Sequence, residues 1–323
     1  MPHCLIVHVG PHKTGTTYIQ RLLDINEYKL SSEVAIVNRH KLHPLKKAIH
    51  NKTLPPSKKW NRVRRSATRL RARLLRMKAP VVIMSEESLF GHLPFGIDEQ
   101  PFYPLTEEVI GVLEQTFSDM QLELVLYKRA EKEWKKSIFN HLIENGLTGS
   151  RIDEFLDETE GYSFDTLLMR IQNVSRHSKI IVFSKDSDER FYGESILDHA
   201  GVNKKTRKAL SLPGKINSSM DTERIEQLRI SNRYRIFASN KLKGGDLSSA
   251  HQSVQKAITA LPGYPENYVV RARINAKLGN REASLMDLCY ALSLSKQKGF
   301  ATKRLRNARQ KRVSREYLMT AVR

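Results

Sequence analysis

The sequence predicts an α/β fold, a parallel sheet flanked by helices, followed by an all-α extension at the carboxyl end. Three observations carry that reading. Short apolar runs alternate with helical patterns through the first two thirds of the 323 residues, polar turn residues separate them, and after about Lys215 only helical patterns remain. A hydrophobic content of 40% over that length can bury a large core and a smaller one beside it.

The strand candidates are residues 5–9, 34–37, 81–84, 122–127 and 180–183, each an apolar run too short for a helix. Helical patterns fall near 16–26, 60–77, 105–117, 131–144 and 164–174. In the second of these, Trp60, Val63, Ala67, Leu70, Leu74 and Met77 recur at three- and four-residue steps, while Arg62, Arg65, Arg69, Arg73 and Arg76 fall on other faces. Trp60 and Trp134 both sit on apolar sides and are expected in the core rather than at a sugar-stacking surface.

The first strand candidate runs into Gly10, Pro11, His12, Lys13, Thr14, Gly15, Thr16 and Thr17. A glycine- and hydroxyl-rich turn between a strand and a helix is an anion cradle, because the helix presents free N–H groups and the glycines allow close approach of the backbone. A nucleoside-triphosphate loop places lysine after its second glycine. Here Lys13 lies before Gly15 and threonines follow, so this is not such a loop.

The string Pro11–Thr17 closely resembles the 5′-phosphosulfate loop of sulfotransferases, which use 3′-phosphoadenosine 5′-phosphosulfate (PAPS), and it reads most like the bacterial branch. That resemblance implies a P-loop-like core, the sulfotransferase fold, over roughly residues 1–240. It also implies roles. Pro11, His12, Lys13, Thr14, Gly15, Thr16 and Thr17 would hold the 5′-phosphosulfate; Arg129, at the end of the 122–127 strand, and Ser137, two helical turns on, would grip the 3′-phosphate. Arginine presents a rigid donor fork that suits phosphate, and serine adds one neutral donor.

A general base is also required, since the acceptor hydroxyl loses a proton as it attacks sulfur. Strand 81–84 delivers Ser85, Glu86, Glu87, Ser88 and Leu89 to its carboxyl end, where open α/β sheets bind ligands. The family resembles Ser-x-Glu-x-Leu here, which aligns Glu87 with its candidate base. Glu86 is the reserve and His12 a third candidate, placed rather to position phosphate or substrate. The scheme needs no metal.

The formal charge is +21, and it is uneven: residues 39–78 hold seven lysines, eight arginines and no acid. A second basic run covers 296–323. Such a field draws in an anionic donor and acceptor, and it suits contact with an anionic membrane surface. No base-reading motif accompanies it, so nucleic acid is not the expected partner. The expected acceptor is a hydroxyl of an anionic glycan or glycolipid precursor.

No apolar run approaches the 18 residues of a membrane span, and the first strand begins almost at Met1, leaving no room for a signal segment. A cytoplasmic protein is expected. Cys4 and Cys289 alone predict no disulfide framework, only two reduced, part-buried thiols.

Toward the carboxyl end, Asn217, Ser218 and Ser219 precede a charged helix over about 221–241, with Ser219 or Asp221 as its cap. The Asn-x-Ser string resembles an element closing the catalytic region in the bacterial enzymes. Beyond it Gly245, Ala250, Ala257 and Pro262 are echoed by Gly279, Ser284 and Ala291 at an offset of 34 residues, the tetratricopeptide period. The organisation expected is a sulfotransferase domain over 1–240, a tetratricopeptide-like region over 241–300, either a buttress or a platform for a protein partner, and a basic tail over 301–323. Two other function classes stand beside the transferase: a P-loop kinase, and a non-catalytic nucleotide-binding scaffold.

Overall fold

The computed structural model describes residues 2–92, 103–184, 188–214 and 220–297. In chain order the elements are β1 (Cys4–His8), α1 (Thr16–Ile25), α2 (Glu27–Leu30), β2 (Val34–Val37), α3 (Arg39–Ile49), α4 (Pro56–Leu74) and β3 (Val81–Ser85). There follow α5 (Thr106–Thr116), β4 (Gln121–Lys128), α6 (Glu131–Glu144), α7 (Ile152–Glu158), α8 (Phe164–Val174), β5 (Lys179–Ser184), α9 (Glu194–His199) and α10 (Lys204–Lys208). The last described elements are α11 (Thr222–Lys243), α12 (Leu247–Ala260), α13 (Pro265–Lys277) and α14 (Arg281–Gln297).

Five parallel strands form one sheet in the order β2-β3-β1-β4-β5. All five residues of β1 are buried, so both faces of the sheet are covered, as a parallel sheet requires. On one face Ile6, Ile83, Val125 and Tyr127 pack against Ile19, Leu22 and Leu23 of α1 and Ile196 and Leu197 of α9. The topology has one functional consequence. From central β1 the chain passes to the β2 edge, returns through β3, and then crosses to β4 and β5. The strands on either side of β1 therefore connect in opposite directions. That switch point lies at the carboxyl end of β1, the place where open α/β sheets form the crevice that binds ligands.

The five expected strands are present, with ends shifted by a residue or two. Helix α3 was not expected, because six basic or histidine side chains and Pro44 obscure its buried face of Leu42, Leu45, Ala48 and Ile49. In α4 the buried stripe is Val63, Ala67, Leu70 and Leu74, as the spacing predicts. Trp60 departs from expectation: it is only half-buried and lines an open groove. Trp134 is in the core, 1% exposed.

The chain divides into two compact units, Met1–Asn140 with Ile152–Ser219, and His141–Arg151 with Met220–Arg323. The first carries the sheet. In the second, α11 packs on α12 and α13 on α14, and the expected boundary at residue 240 falls inside α11. Asp221 caps that helix by accepting from the Arg224 amide at 2.7 Å. Gly245 and Gly279 both take left-handed φ, +83° and +82°, in the short turns before α12 and α14, and Ala250, Ala257 and Ala291 are fully buried. The 34-residue echo thus marks equivalent turns and close-packed alanines in two successive helix pairs. Asn232 donates to the Ile143 carbonyl at 2.8 Å and Arg235 to that of Gly146 at 2.6 Å, which ties residues 141–151 into this unit. The Asn217–Ser219 string and the tail after 297 lie outside the described residues.

Cys4 is buried and Cys289 exposed, and both are free thiols. Burial, then the nearby Glu123, pushes the Cys4 thiol up to about 11, so it is inert. No helix among the described residues is long and apolar enough to cross a membrane.

Candidate functional site

The turn after β1 is held in an unusual backbone path. Gly10, Lys13 and Gly15 have φ of +105°, +67° and +90°, the left-handed region that costs little only for glycine. At Gly10 a Cβ would press on the Glu87 backbone, its nearest atom the Glu87 carbonyl oxygen at 3.3 Å. At Gly15 it would collide with the Tyr192 ring. Helix α1 begins immediately after, with Gly15 as N-cap and no side chain capping it. Among the described residues the Thr16 and Thr17 amides have no acceptor, so two first-turn donors and the positive end of the helix dipole face the crevice.

Four side chains fix this loop from outside. The Trp134 indole on α6 donates to the His12 carbonyl at 2.8 Å, and Arg129 donates to the Lys13 carbonyl at 3.4 Å. The Tyr103 hydroxyl accepts from the His12 amide at 2.7 Å and lies 3.0 Å from Nδ1 of the same residue, whose ring it also stacks. The Tyr192 hydroxyl donates to the Thr14 carbonyl. Each bond satisfies a carbonyl or amide of the loop from outside it.

Among the sequence-predicted residues, Pro11 and Thr14 are buried, His12 and Lys13 half-buried, and Gly15 and Thr17 exposed. The Thr14 hydroxyl, expected among the ligand donors, donates instead to the Pro11 carbonyl at 2.7 Å. The buried Thr16 hydroxyl also points there, at 3.4 Å. These two threonines brace the loop and leave their amides as the groups that face a ligand. The Lys13 ammonium forms no ion pair or hydrogen bond among the described residues. Arg129 is half-buried, and besides its bond to the Lys13 carbonyl its guanidinium lies 3.7 Å from Glu133. Ser137 lies one turn beyond Trp134 on α6, hence on the side of the helix that meets the loop, and its hydroxyl has no described partner.

The two adjacent glutamates sit at the carboxyl end of β3 in contrasting surroundings. Glu86 is fully buried; its Oε1 accepts from the Lys46 ammonium at 2.8 Å, the Ser88 hydroxyl at 2.7 Å and the Ser88 amide at 3.2 Å. Burial opposes its ionisation, but those bonds outweigh it and hold the carboxyl below the ordinary glutamate value. Glu87 is half-buried and its carboxylate has no described hydrogen bond or ion pair. Burial, and then the charge of Glu86, raise its pKa, with Arg39, Lys46 and Lys13 near enough to pull the other way. A carboxylate raised by desolvation, unpartnered, and beside three cations is suited to accept a proton in a crevice.

Beneath the rim, His8 of β1 is fully buried with Nδ1 2.9 Å from the Ser85 hydroxyl, and burial pushes its pKa down to about 3. It is a neutral spacer under the loop. His50, at the end of α3, meets the Ser88 carbonyl through Nε2 at 2.7 Å and stacks on His92.

The crevice therefore joins the loop after β1, Glu87 after β3 and Arg129 after β4, three neighbouring strand ends. Sequence reasoning placed these. It missed Tyr103, Tyr192, Arg39 and Lys46, which reach the site from other parts of the chain and carry no motif; the only available signal was the basic run that contains Arg39 and Lys46. No family model matches the chain, and no curated protein or solved structure matches it.

Proposed function

We propose that this chain is a PAPS-dependent sulfotransferase of the bacterial type, with the sulfotransferase fold in its first unit and a tetratricopeptide-like arrangement in its second. The observation that carries the reading is the pairing, at the topological switch point, of an α1 N-terminus without a side-chain cap with a Lys13 ammonium and a Glu87 carboxylate that have no partner among the described residues.

In this reading the acceptor hydroxyl oxygen attacks the donor's sulfur as the bond from sulfur to the 5′-phosphate oxygen breaks in line. Glu87 takes the hydroxyl proton. Charge builds on the departing phosphate oxygens, where Lys13 and the amides of Gly15, Thr16 and Thr17 are already oriented, so little reorganisation is needed at the moment of reaction. Arg129 and Ser137 hold the 3′-phosphate. Arg39, near Glu87 and without an ion pair among the described residues, favours an acceptor that already carries negative charge, an anionic glycan or glycolipid precursor.

Calorimetry with 3′-phosphoadenosine 5′-phosphate, the product nucleotide, tests this. Binding to the unmodified chain, weakened by Lys13→Ala, supports it. Absent binding, or preference for magnesium-ATP as a P-loop kinase would show, overturns it. Binding without turnover on any acceptor leaves the scaffold reading in its place.

A further inference from the structure

Away from the crevice, α4 and α5 enclose a groove of about 500 Å³. Its walls include Trp60, Asn61 and Arg64 from α4 and Glu108, Gly111 and Gln115 from α5. The volume lies within the range of small-ligand sites. Each helix contributes positions one and two turns apart, so the groove follows two helices running side by side.

Three features of the groove lack a structural purpose. Trp60 is half-buried and its indole N–H has no described acceptor, although a packed tryptophan normally finds one. Gly111 stands inside α5 at a cost of about 1 kcal/mol relative to alanine, yet a Cβ there would meet nothing within 4 Å. No neighbour requires glycine; what its absent side chain leaves open is the groove floor. Finally, Glu108 and Gln115 have no described side-chain partner, and Arg64 bonds only Asn61, at 3.3 Å.

The electrostatics select the ligand. Lys58, Lys59, Arg62, Arg64 and Arg65 crowd the start of α4, and none forms an ion pair among the described residues. Lys59 also lies over the Trp60 ring, 4.9 Å from its centre. A carboxylate fits the Arg64 fork. Glu108, in the opposite wall, can accept hydrogens from the hydroxyl groups of a sugar. An aromatic face, two amides, a cation and a hydroxyl acceptor together match a sugar chain bearing carboxylates.

We propose that the α4–α5 groove binds a segment of an anionic oligosaccharide. Both helices follow segments bonded to the stretch just after Glu87. His50, bonded to the residue after Glu87, precedes Ser57 by seven positions, about 25 Å of chain at most, and the Leu105 amide at the start of α5 donates to the Phe90 carbonyl at 3.0 Å. The groove thus serves as an outlying hold on a chain whose hydroxyl is modified at Glu87. That role rests on the sulfuryl-transfer reading; the binding itself does not.

The test is fluorescence titration of the full chain, without nucleotide, using a hyaluronan tetrasaccharide and, as a neutral match, chitotetraose. Trp134 is 1% exposed, so acrylamide quenching reads Trp60. The expected result is protection of Trp60 by the anionic sugar, at least tenfold weaker with the neutral one and weakened severalfold by added salt. Gly111→Leu, which fills the groove while retaining the native melting temperature, should lower affinity at least tenfold by the same quenching, and Trp60→Ala, read by calorimetry because it lacks the probe, should do likewise. No protection, equal binding of chitotetraose, affinity unchanged in Gly111→Leu, or tighter protection by an oligothymidylate overturns the proposal. Failure here with nucleotide binding intact removes the groove alone; loss of nucleotide binding with sugar binding intact removes the transferase reading alone.

Discussion

The Lys46 ammonium donates to Glu86 Oε1 at 2.8 Å, and this bond separates two carboxylates that are adjacent in the chain. Glu86 is occupied by Lys46 and Ser88, while Glu87 has no hydrogen bond or ion pair among the described residues. A base needs a free lone pair and a pKa near the working range; a structural carboxylate needs neither.

Glu87→Gln keeps size and polarity but removes the base. It should lower turnover by roughly 10²–10⁴-fold while changing affinity for the bisphosphate nucleotide less than threefold. Glu86→Gln should do the reverse of a catalytic change: it weakens a buried pair with Lys46 and lowers stability by on the order of 1–3 kcal/mol, read as a shift in the urea midpoint. Full activity in Glu87→Gln, with loss in Glu86→Gln or His12→Ala, reassigns the base.

Acid should destabilise the first unit in a specific window. His8 binds its proton only near pH 3 when folded but near 6.5 when unfolded, so below 6.5 the unfolded state takes up the proton and the folded state does not. His50, pushed down to about 4 by burial and then by His92, adds to this loss. At pH 5 the His8 contribution alone is about 2 kcal/mol. Glu86, depressed in the fold, acts in the same direction at lower pH: its stabilisation is complete above the ordinary glutamate range and is lost as pH falls through its folded value. Glu87 has the opposite sign. Its raised pKa makes ionisation cost stability at neutral pH, so Glu87→Gln should be more stable than the parent at pH 7. Urea unfolding between pH 5 and 7 checks both, and His8→Asn should flatten the slope below 6.5.

Arg129 is predicted to act through affinity. Its removal in Arg129→Ala takes one charge-assisted contact from the 3′-phosphate, worth roughly 1.5–3 kcal/mol, a 10- to 150-fold rise in Kd for the bisphosphate nucleotide. Arg129→Lys should recover only part of this, because an ammonium lacks the planar fork. A nucleotide lacking the 3′-phosphate should bind parent and Arg129→Ala alike; a difference there would show that Arg129 acts by bracing the Lys13 carbonyl.

How much of this was legible follows from where each piece gets its energy. The strands were readable because strands buried on both faces, such as β1, are continuous apolar runs, and the loop because left-handed positions demand glycine at Gly10 and Gly15. Glu87 and Arg129 were readable as polar residues just past strand ends, and the family resemblance alone singled them out from Glu86 and Lys128. Helix α3 was not, since its apolar face is four residues within a basic run. Tyr103 and Tyr192 were invisible for another reason. They meet the loop from 91 and 178 positions away, and nothing local marks an aromatic that will brace a distant turn. Trp60 and Trp134 carry the same helical pattern, yet only one is enclosed, because pattern records a face and not what covers it.

Trp134 offers the sharpest separation of loop geometry from ligand contact. Its indole N–H holds the His12 carbonyl at 2.8 Å, and a phenyl ring fills most of the same buried space without a donor. Trp134→Phe therefore removes this donor from the part-buried His12 carbonyl beside Lys13, at a cost of about 1–3 kcal/mol, concentrated in the loop. The expected outcome is a nucleotide Kd raised several-fold or more, slower turnover, and faster amide exchange at residues 12–17, with the sheet's exchange unchanged. Exchange that rises throughout the first unit would mean that Trp134 supports the core as a whole; affinity equal to the parent's would mean that the loop path does not depend on this bond.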